Sequence, residues 1–221
     1  MFKQNIVHIL YTKISKEFPE DIYKKYLIFL PEVLQAQHFK YRRWQDRAAN
    51  LFSKILLIKG LEKYGLNYSS LENLSHNNYG RPQIAETVDF NLSHSGDYVL
   101  CAISSGMRVG IDIEEIKPVD FSDFESLMDT EQWKSIKNAD DPLRSFFKFW
   151  AIKESIIKAD GRGMSIPLND IILNDQAGYY ETTWYLKELN LNEKYCSFLA
   201  SSIENPVLII EHIILNEHDS K

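Results

Sequence analysis

The residues best able to do chemistry stand in the run VGIDIEEI, Val109 to Ile116, where three acids interrupt an apolar, strand-like segment. A carboxylate removed from water is costly unless something compensates its charge. In a strand, residues two apart share a face, so Asp112 and Glu114 point the same way while the alternate apolar residues point into a core. Glu115 has the apolar parity and marks the end of the strand. Two adjacent carboxylates repel each other, and a hard cation such as Mg²⁺ would relieve that repulsion.

A third acid comes from a helix near residue 150. Trp150, Glu154 and Lys158 step by four and therefore lie on one helix face. Because the rest of this helix is strongly apolar, an acid on it is not expected to be fully solvated. Glu154, about 40 residues after Glu114, is the predicted third metal ligand. Two alternatives are an exposed acidic strand face and an ordinary surface ion pair between Glu154 and Lys158, which contributes only a few tenths of a kcal/mol.

Two long helices and several strands must position these residues. Apolar residues at three- and four-residue steps predict a helix from Phe39 to Tyr64. Asp141-Pro142 predicts the cap and first turn of a second helix that ends at Gly161. One or two short helices are predicted in SDFESLMDTEQWKSIKN. Besides VGIDIEEI, predicted strands cover Val88–Ser93, Tyr98–Ile103, Asp170–Asn174, Tyr179–Leu186, Tyr195–Ser202 and Val207–Leu215.

The order of these elements is similar in the two halves of the chain. A long helix is followed by a loop marked by Gly and Pro in each half, YGRPQI in the first and GRGMSIPL in the second. We therefore expect two lobes, residues 1–105 and 106–221, although similarity this weak also arises by chance.

Composition narrows the function classes. The chain has 221 residues and a net charge of −6, and its pI is about 5.6, so it lacks the Lys and Arg surplus of a general nucleic-acid binder. No apolar run reaches the length of a membrane span, and the first residues match neither a secretory signal nor a transit peptide. Cys101 and Cys196 stand in apolar runs, which favours buried free thiols in a reducing cytoplasm over a disulfide or metal site.

Four sequence blocks between Tyr79 and Leu168 carry a family resemblance. They are YGRP, FNLSHSGDYVLCAI, VGIDIEEI and FWAIKESIIKADGRGMSIPL. In this order they resemble the 4'-phosphopantetheinyl transferases of the surfactin-synthetase-activating type, whose signature is a Gly-(Ile/Val)-Asp strand and an aromatic-x-x-Lys-Glu-(Ala/Ser)-x-x-Lys helix. Two further family blocks, a Gly-(Lys/Arg)-Pro loop and a Ser-His strand turn, correspond to the first two. The ends of the chain match only in general character.

The resemblance implies an enzyme that transfers the phosphopantetheine arm of coenzyme A to a serine of an acyl or peptidyl carrier protein. The other product would be adenosine 3',5'-bisphosphate, and Mg²⁺ would be the cofactor. The implied fold is α+β, a pseudo-twofold pair of similar α/β lobes with the active site at their interface. We expect a cytoplasmic monomer that binds neither nucleic acid nor membrane.

The resemblance also implies roles for particular residues. Glu131 corresponds to an acid that helps to deprotonate the attacking serine, although a glutamate at a helix start is also favoured by the helix dipole alone. The remaining roles are Mg²⁺ ligands at Asp112, Glu114 and Glu154, a pyrophosphate contact at Lys158, phosphate contacts at Arg81, Ser93 and His94, and a nearby position for Lys153.

One departure from the family concerns the phosphate on the ribose. Many relatives carry Lys or Arg in the segment corresponding to PEVLQAQHF, whereas this chain has none from Pro31 to Phe39. The substitute is left open among Lys40, Arg42, Arg43 and Arg47. The carrier-docking surface is equally open: Met164 and Ile166 are candidates, with core packing as the alternative for each.

Two other functions compete with the transferase. Clustered strand acids near a Glu and a Lys also suit an Mg²⁺-dependent nuclease or phosphodiesterase. The acidic pI and the lack of a basic stripe with interleaved aromatics weigh against that activity. A non-catalytic binder of carrier protein or nucleotide is disfavoured because all three predicted metal ligands are present.

Overall fold

A computed structural model describes residues 5–14, 20–84 and 87–215, without the side chains of residues 21 and 22. The described residues form five α-helices, eleven strands and a few short 3-10 helices. The helices are α1 (Glu20–Leu27), α2 (Glu32–His38), α3 (Trp44–Glu62), α4 (Thr130–Lys137) and α5 (Pro142–Asp160). The strands are β1 (Ile6–Lys13), β2 (Leu74–His76), β3 (Pro82–Ile84), β4 (Val88–Ser95), β5 (Tyr98–Ser105), β6 (Val109–Glu115), β7 (Ile172–Leu173), β8 (Ala177–Tyr180), β9 (Thr182–Glu188), β10 (Tyr195–Ser201) and β11 (Val207–His212).

Two main sheets carry the fold. The first has the strand order β11-β1-β5-β4 and the second the order β6-β10-β9-β8-β7, while β2 and β3 form a separate pair. The two main sheets share a pattern of pairing. In the first half of the chain, β1 pairs antiparallel with β5, which is the second strand of the β4–β5 pair. In the second half, β6 pairs antiparallel with β10, which is the second strand of the β9–β10 pair. In each half, a helix of 19 residues, α3 or α5, lies between these two strands in the chain. The predicted α+β fold of two similar halves is confirmed by this repeated order.

The last strand joins the sheet of the first half. β11 pairs in parallel with β1, from Ile6 opposite Val207 to Tyr11 opposite His212. These residues fall in the predicted second lobe, so the chain returns to the first sheet at its end. The division of the chain at residue 105 stays a prediction.

The first long helix is shorter than predicted. The prediction of one helix from Phe39 to Tyr64 is wrong at its start, because α2 ends at His38 and α3 begins at Trp44. Arg43 has an extended backbone, with φ −84° and ψ 138°, so the helical hydrogen bonds cannot continue through it. The apolar stripe that suggested the helix is buried from Ala48 onwards, whereas Phe39 is 65% exposed.

The second long helix follows its sequence signals. Asp141 accepts a hydrogen bond from the backbone N–H of Arg144, and Pro142 occupies the first turn. Gly161 ends the helix in the left-handed region with φ 89°, a conformation that costs glycine little.

The strand predicted from Tyr179 to Leu186 is two strands. β8 and β9 pair antiparallel and are separated by Glu181, whose φ of 58° interrupts the extended chain. SDFESLMDTEQWKSIKN contains a 3-10 helix, Phe121–Leu127, followed by α4. No helix among the described residues is long and apolar enough to cross a membrane.

The two sheets meet along β4 and β6. Alternate side chains of β4 accept hydrogen bonds from the backbone N–H groups on the edge of β6 that does not pair with β10. The pairs are Asp89 with Val109 at 2.8 Å, Asn91 with Ile111 at 2.9 Å, Ser93 with Ile113 at 3.4 Å and Ser95 with Glu115 at 3.0 Å. We call this set the β4–β6 ladder. It satisfies an edge whose N–H groups would otherwise be buried without partners.

Candidate active site

The site lies where β6, α5 and β4 meet, and its centre depends on the close approach of α5 to β6. A Cβ atom at Gly110 would lie 2.1 Å from the backbone oxygen of Ser155 and 2.3 Å from the backbone nitrogen of Ala159. Glycine therefore lets the helix backbone rest directly on the strand. In the sequence, a glycine two residues before Asp112 predicts open space in front of that carboxylate, whereas the structure places the backbone of α5 against Gly110.

Asp112 is the most buried acid of the site, with 1% of its surface exposed. Its Oδ1 accepts hydrogen bonds from Ser93 Oγ at 2.9 Å and from Lys158 Nζ at 2.5 Å. Its Oδ2 is buried and has no hydrogen-bond partner within the part of the chain that the structure describes. Burial raises the pKa of Asp112 above its ordinary value, against the opposing effects of Lys158 and Ser93.

Glu114 is held from both sides. Trp150 Nε1 donates to its Oε1 at 3.0 Å, and Ser95 Oγ donates to its Oε2 at 3.0 Å. Burial raises the pKa of Glu114, and repulsion from Asp112 raises it further. The carboxylate orientation is therefore set by two donors that do not neutralise its charge.

α5 contributes an acid, Glu154, and a base, Lys158, to this cluster of charged residues. Burial raises the pKa of Glu154 to about 7, and Asp112 and Glu114 add to that shift while Lys158 opposes it. Burial by itself lowers the pKa of Lys158, but the neighbouring acids, Asp112 first, raise it more, so the ammonium form is favoured. One lysine thus faces three carboxylates.

This donor set fits a hard divalent cation. Carboxylate oxygens are the ligands that such a cation prefers, Asp112 and Glu114 lie close enough to Glu154 to raise its pKa, and Oδ2 of Asp112 is buried without a hydrogen-bond partner among the described residues. Among the described residues, no three acid, imidazole or thiol groups stand close enough together to form a metal site in their present positions. Among the described residues, Lys158 is the only positively charged side chain that contacts Asp112.

A cleft opens beside this cluster, with a volume of about 320 Å³. His94 follows Ser93 on β4 and lines the cleft with its exposed side chain. Desolvation by the surrounding protein lowers the pKa of His94, and the positive charge of Lys158 lowers it further. Two cations, Arg43 and Lys117, and the ring of Trp44 line the same cleft. Its lining also includes three acids, Asp46, Asp97 and Glu115.

Comparisons with known proteins show which family this chain belongs to. Residues 108–208 match the family model described as the 4'-phosphopantetheinyl transferase superfamily. The 4'-phosphopantetheinyl transferase gsp of Aneurinibacillus migulanus is 33% identical over 168 residues, covering 74% of this chain and 70% of that protein. This chain belongs to the 4'-phosphopantetheinyl transferases.

Two further comparisons involve proteins of the same kind. The 4'-phosphopantetheinyl transferase Sfp of Bacillus subtilis (strain 168) is 29% identical to this transferase over 151 residues, covering 66% of each chain. The crystal structure of Thermotoga maritima holo-[acyl-carrier-protein] synthase aligns with a TM-score of 0.35 at 15% identity, covering 42% of this chain and 61% of that one. The second likeness is too low to carry an argument. The resemblance read from the four sequence blocks is confirmed by the relatives.

The structure brings most of the predicted site residues of this transferase together. Asp112, Ser93 and Lys158 are in direct contact, Glu154 shares their electrostatic environment, and His94 borders the adjacent cleft. Glu115 lies outside the cluster, as its parity predicted. The roles of these residues in the reaction stay predictions.

Lys153 does not lie in the site, contrary to the prediction. It is fully buried and donates to the backbone oxygen of Leu127 at 2.8 Å and to Gln132 Oε1 at 2.6 Å. Neighbouring helix positions differ by about 100°, so the residue before Glu154 faces a different side of α5. Burial lowers the pKa of Lys153 to about 8.

Arg81 also departs from its predicted position as a phosphate contact. Its guanidinium forms an ion pair with Asp89 at 2.7 Å, and only 9% of the side chain is exposed. Four of its five N–H donors are used within the protein. The sequence has no signal that distinguishes a bound phosphate from a neighbouring aspartate.

Glu131 lies in the first turn of α4 with an exposed side chain, 3.8 Å from Lys134. That position agrees with the helix-dipole alternative and leaves its role as a base a prediction.

Some residues of the site were not predicted from the sequence. They are Trp150, as a partner of Glu114, and the polar side chains of the β4–β6 ladder. Their signal was the strict alternation of polar residues in VDFNLSHS.

Proposed function

We propose that this transferase moves the 4'-phosphopantetheine arm of coenzyme A onto a serine of an apo acyl or peptidyl carrier protein. The serine oxygen would attack the phosphorus that bears pantetheine, the bond from that phosphorus to the bridging oxygen would break, and adenosine 3',5'-bisphosphate would leave. The serine proton would pass to a base. The observation that carries this proposal is the buried Asp112, joined to Lys158 and unpartnered at its second oxygen, beside two more acids.

The proposal includes Mg²⁺ held by Asp112, Glu114 and Glu154. A bound Mg²⁺ would neutralise charge on the diphosphate oxygens. The raised pKa values of all three acids support this assignment, because they reflect burial of several carboxylates that a cation would relieve. Trp150 and Ser95 would keep Glu114 oriented as a ligand.

Lys158 and Ser93 would act on the diphosphate itself. The ammonium group of Lys158 carries a full positive charge at the centre of the site and would stabilise charge on the departing phosphate. Ser93 Oγ lies 3.1 Å from that ammonium group and would hold its direction. Neither role needs a nucleophile from this chain, because the attacking serine belongs to the carrier.

The nucleotide end of coenzyme A would bind in the cleft lined by His94, Arg43 and Lys117. Of the four basic residues left open by the sequence, only Arg43 lines this cleft. Lys40 and Arg42 are exposed elsewhere, and Arg47 lies close enough to Tyr23 and His38 to influence their pKa values. Arg43 is therefore our assignment for the phosphate on the ribose, with Trp44 beside it.

The proposal extends to the partner and the setting. We propose a monomer that acts in the cytoplasm, which the two free buried thiols support. Of the two docking candidates, Met164 is 67% exposed and remains available to a carrier protein. Ile166 is 1% exposed and belongs to the core, so its alternative role is the correct one.

Intact-mass measurement of an apo carrier protein tests the function. With Mg²⁺ and coenzyme A, the carrier should gain one phosphopantetheine group. Asp112→Ala and Glu154→Ala should each abolish the gain, while Glu72→Ala, a change at an exposed acid outside the site, should leave it intact. Cleavage of coenzyme A without any gain in carrier mass would favour the phosphodiesterase instead.

A further inference from the structure

The loop that carries Arg81 is a rigid turn. The side-chain oxygen of Asn77 accepts hydrogen bonds from the backbone N–H groups of Tyr79 and Arg81, each at 2.9 Å. The backbone N–H of Asn77 in turn donates to the backbone oxygen of Arg81 at 3.0 Å. Gly80 takes φ 85°, which closes the turn. Arg81 therefore leaves the loop in one fixed direction, toward the end of α5.

The guanidinium of Arg81 joins three elements. It meets both carboxylate oxygens of Asp89 on β4, at 2.7 and 2.8 Å, and the backbone oxygen of Phe90 at 3.2 Å. It donates to the backbone oxygen of Val109 on β6 at 3.0 Å. Its Nε donates to the backbone oxygen of Lys158 on α5 at 2.9 Å. These are the elements that carry the site residues.

Asp89 makes the connection reciprocal. The carboxylate that receives the guanidinium also accepts the backbone N–H of Val109 at 2.8 Å, as the first member of the β4–β6 ladder. The pair is therefore bound to β6 through both the N–H and the oxygen of one residue. Because the fork of a guanidinium matches a carboxylate in two parallel bonds, the arrangement is directional as well as charged.

The last turn of α5 needs such partners. The final carbonyl groups of a helix have no partners within the helix. Here the oxygen of Lys158 receives Arg81, and that of Asp160 receives Arg108 at 2.5 Å. Gly161 permits the approach, because a Cβ atom there would lie 2.7 Å from Cδ of Arg81.

We propose that Arg81, paired with Asp89, is a positioning residue that fixes the last turn of α5 and so sets Lys158 on Asp112. The structural part of this role is independent of the proposed function, whereas its expected effect on the reaction rests on that function. The positioning role takes the place of the direct phosphate contact that the family resemblance implied for Arg81. The residue whose backbone Arg81 holds is the same residue whose ammonium group lies 2.5 Å from Asp112, so a shift of that turn moves the catalytic cation.

Two single variants and their combination test the proposal. Arg81→Lys keeps the charge but loses the fork, and Asp89→Asn keeps the shape but removes the ion pair. Each should lower kcat at least tenfold per folded molecule, with the KM for coenzyme A changed less than twofold. The double variant should be no worse than the poorer single variant, because both break one unit. Near-UV circular dichroism supplies the folded fraction.

Hydrogen exchange supplies a readout that does not depend on activity. Amides of the last turn of α5 should exchange at least tenfold faster in both variants, while those of its first turn are unchanged. Arg144→Lys, at the opposite end of the same helix, should leave exchange at the last turn unchanged.

Three results would overturn the proposal. One is a raised KM for coenzyme A with unchanged kcat in Arg81→Lys but not in Asp89→Asn, which would indicate a direct phosphate contact. The others are unchanged exchange at the last turn and unchanged kcat per folded molecule in active variants. If the wild-type protein transfers nothing, the proposed function fails, and exchange alone then decides whether Arg81 fixes the helix end.

Discussion

At the scale of single residues, the site depends on how each carboxylate is oriented. Asp112 is fixed by Ser93 and Lys158, and Glu114 is fixed by Trp150 and Ser95. Ser93, Ser95 and Trp150 are neutral donors, and Lys158 is the one cation in contact with Asp112 among the described residues, so the three acids keep a net negative charge that a further cation would relieve. The residues around the acids therefore decide the geometry, and the acids supply the charge.

Trp150→Phe tests the orientation of Glu114. The variant keeps an aromatic ring but loses the bond from Nε1 to Oε1. A hydrogen bond to a charged group contributes about 1.5–3 kcal/mol, so the Mg²⁺ concentration for half-maximal rate should rise about tenfold or more. Initial rates against Mg²⁺ concentration measure it. Trp133→Phe, whose Nε1 bonds the backbone oxygen of Glu125, should not change this value.

Arg43→Ala tests the nucleotide cleft. Loss of one charge-assisted contact to phosphate should raise the KM for coenzyme A about tenfold, with little change in kcat. The KM for dephospho-coenzyme A, which lacks the phosphate on the ribose, should not change. Arg42→Ala is the matched control, because its side chain is exposed and does not line the cleft. Equal effects of the two changes would contradict the assignment.

At the scale of elements, the contact between α5 and β6 brings the acids together. Both elements were predicted from the sequence, including the Asp141 cap, the Gly161 end and the parity of β6. The break between α2 and α3 was not predicted, because no glycine or proline stands between Phe39 and Trp44 to mark it, although the backbone at Arg43 is extended. Spacing reports which residues can share a face, and it does not report where the chain turns.

Gly110→Ala tests this contact. Its added Cβ would lie 2.1 Å from the backbone oxygen of Ser155, which cannot move without shifting α5. Overpacking of this kind costs about 3 kcal/mol or more in the free energy of unfolding, and it should also abolish transfer. Urea unfolding followed by circular dichroism gives the change. Gly65→Ala, at a left-handed position with no atom within 4 Å of the new Cβ, should cost only about 1 kcal/mol.

At the scale of the whole molecule, two sheets are joined by side chains rather than by strand pairing. The β4–β6 ladder and the Arg81–Asp89 pair close the junction, and β11 returns the end of the chain to the first sheet. The site therefore lies on the joint between the halves, so the stability of the joint and the geometry of the site are coupled.

Lys153 makes the stability of the molecule depend on pH. Its pKa is about 8 in the folded protein, because of burial, and near 10.5 when unfolded. Between these values the unfolded state binds more protons, so this lysine makes the free energy of unfolding rise with pH, by at most about 1.4 kcal/mol per pH unit. Below pH 8 both states hold the proton and the contribution is constant.

Comparison with Lys153→Met isolates that contribution. The difference in unfolding free energy between wild type and variant should move in favour of the wild type from pH 8 to pH 10. Urea titrations at each pH give the two values, and Lys148→Met, a change at an exposed lysine of the same helix, should show no such trend. A difference independent of pH would mean that Lys153 stays protonated in the folded protein.

The sequence by itself determined the acidic parity of β6, the four-residue steps of α5 and the four blocks that identify the family. These are local patterns, because strand and helix periods follow from backbone geometry alone. Only the tertiary structure decided that Arg81 meets Asp89, that Lys153 turns away and that Lys158 reaches Asp112. The partner of a charged side chain depends on which distant elements packing brings beside it, and no local period carries that information.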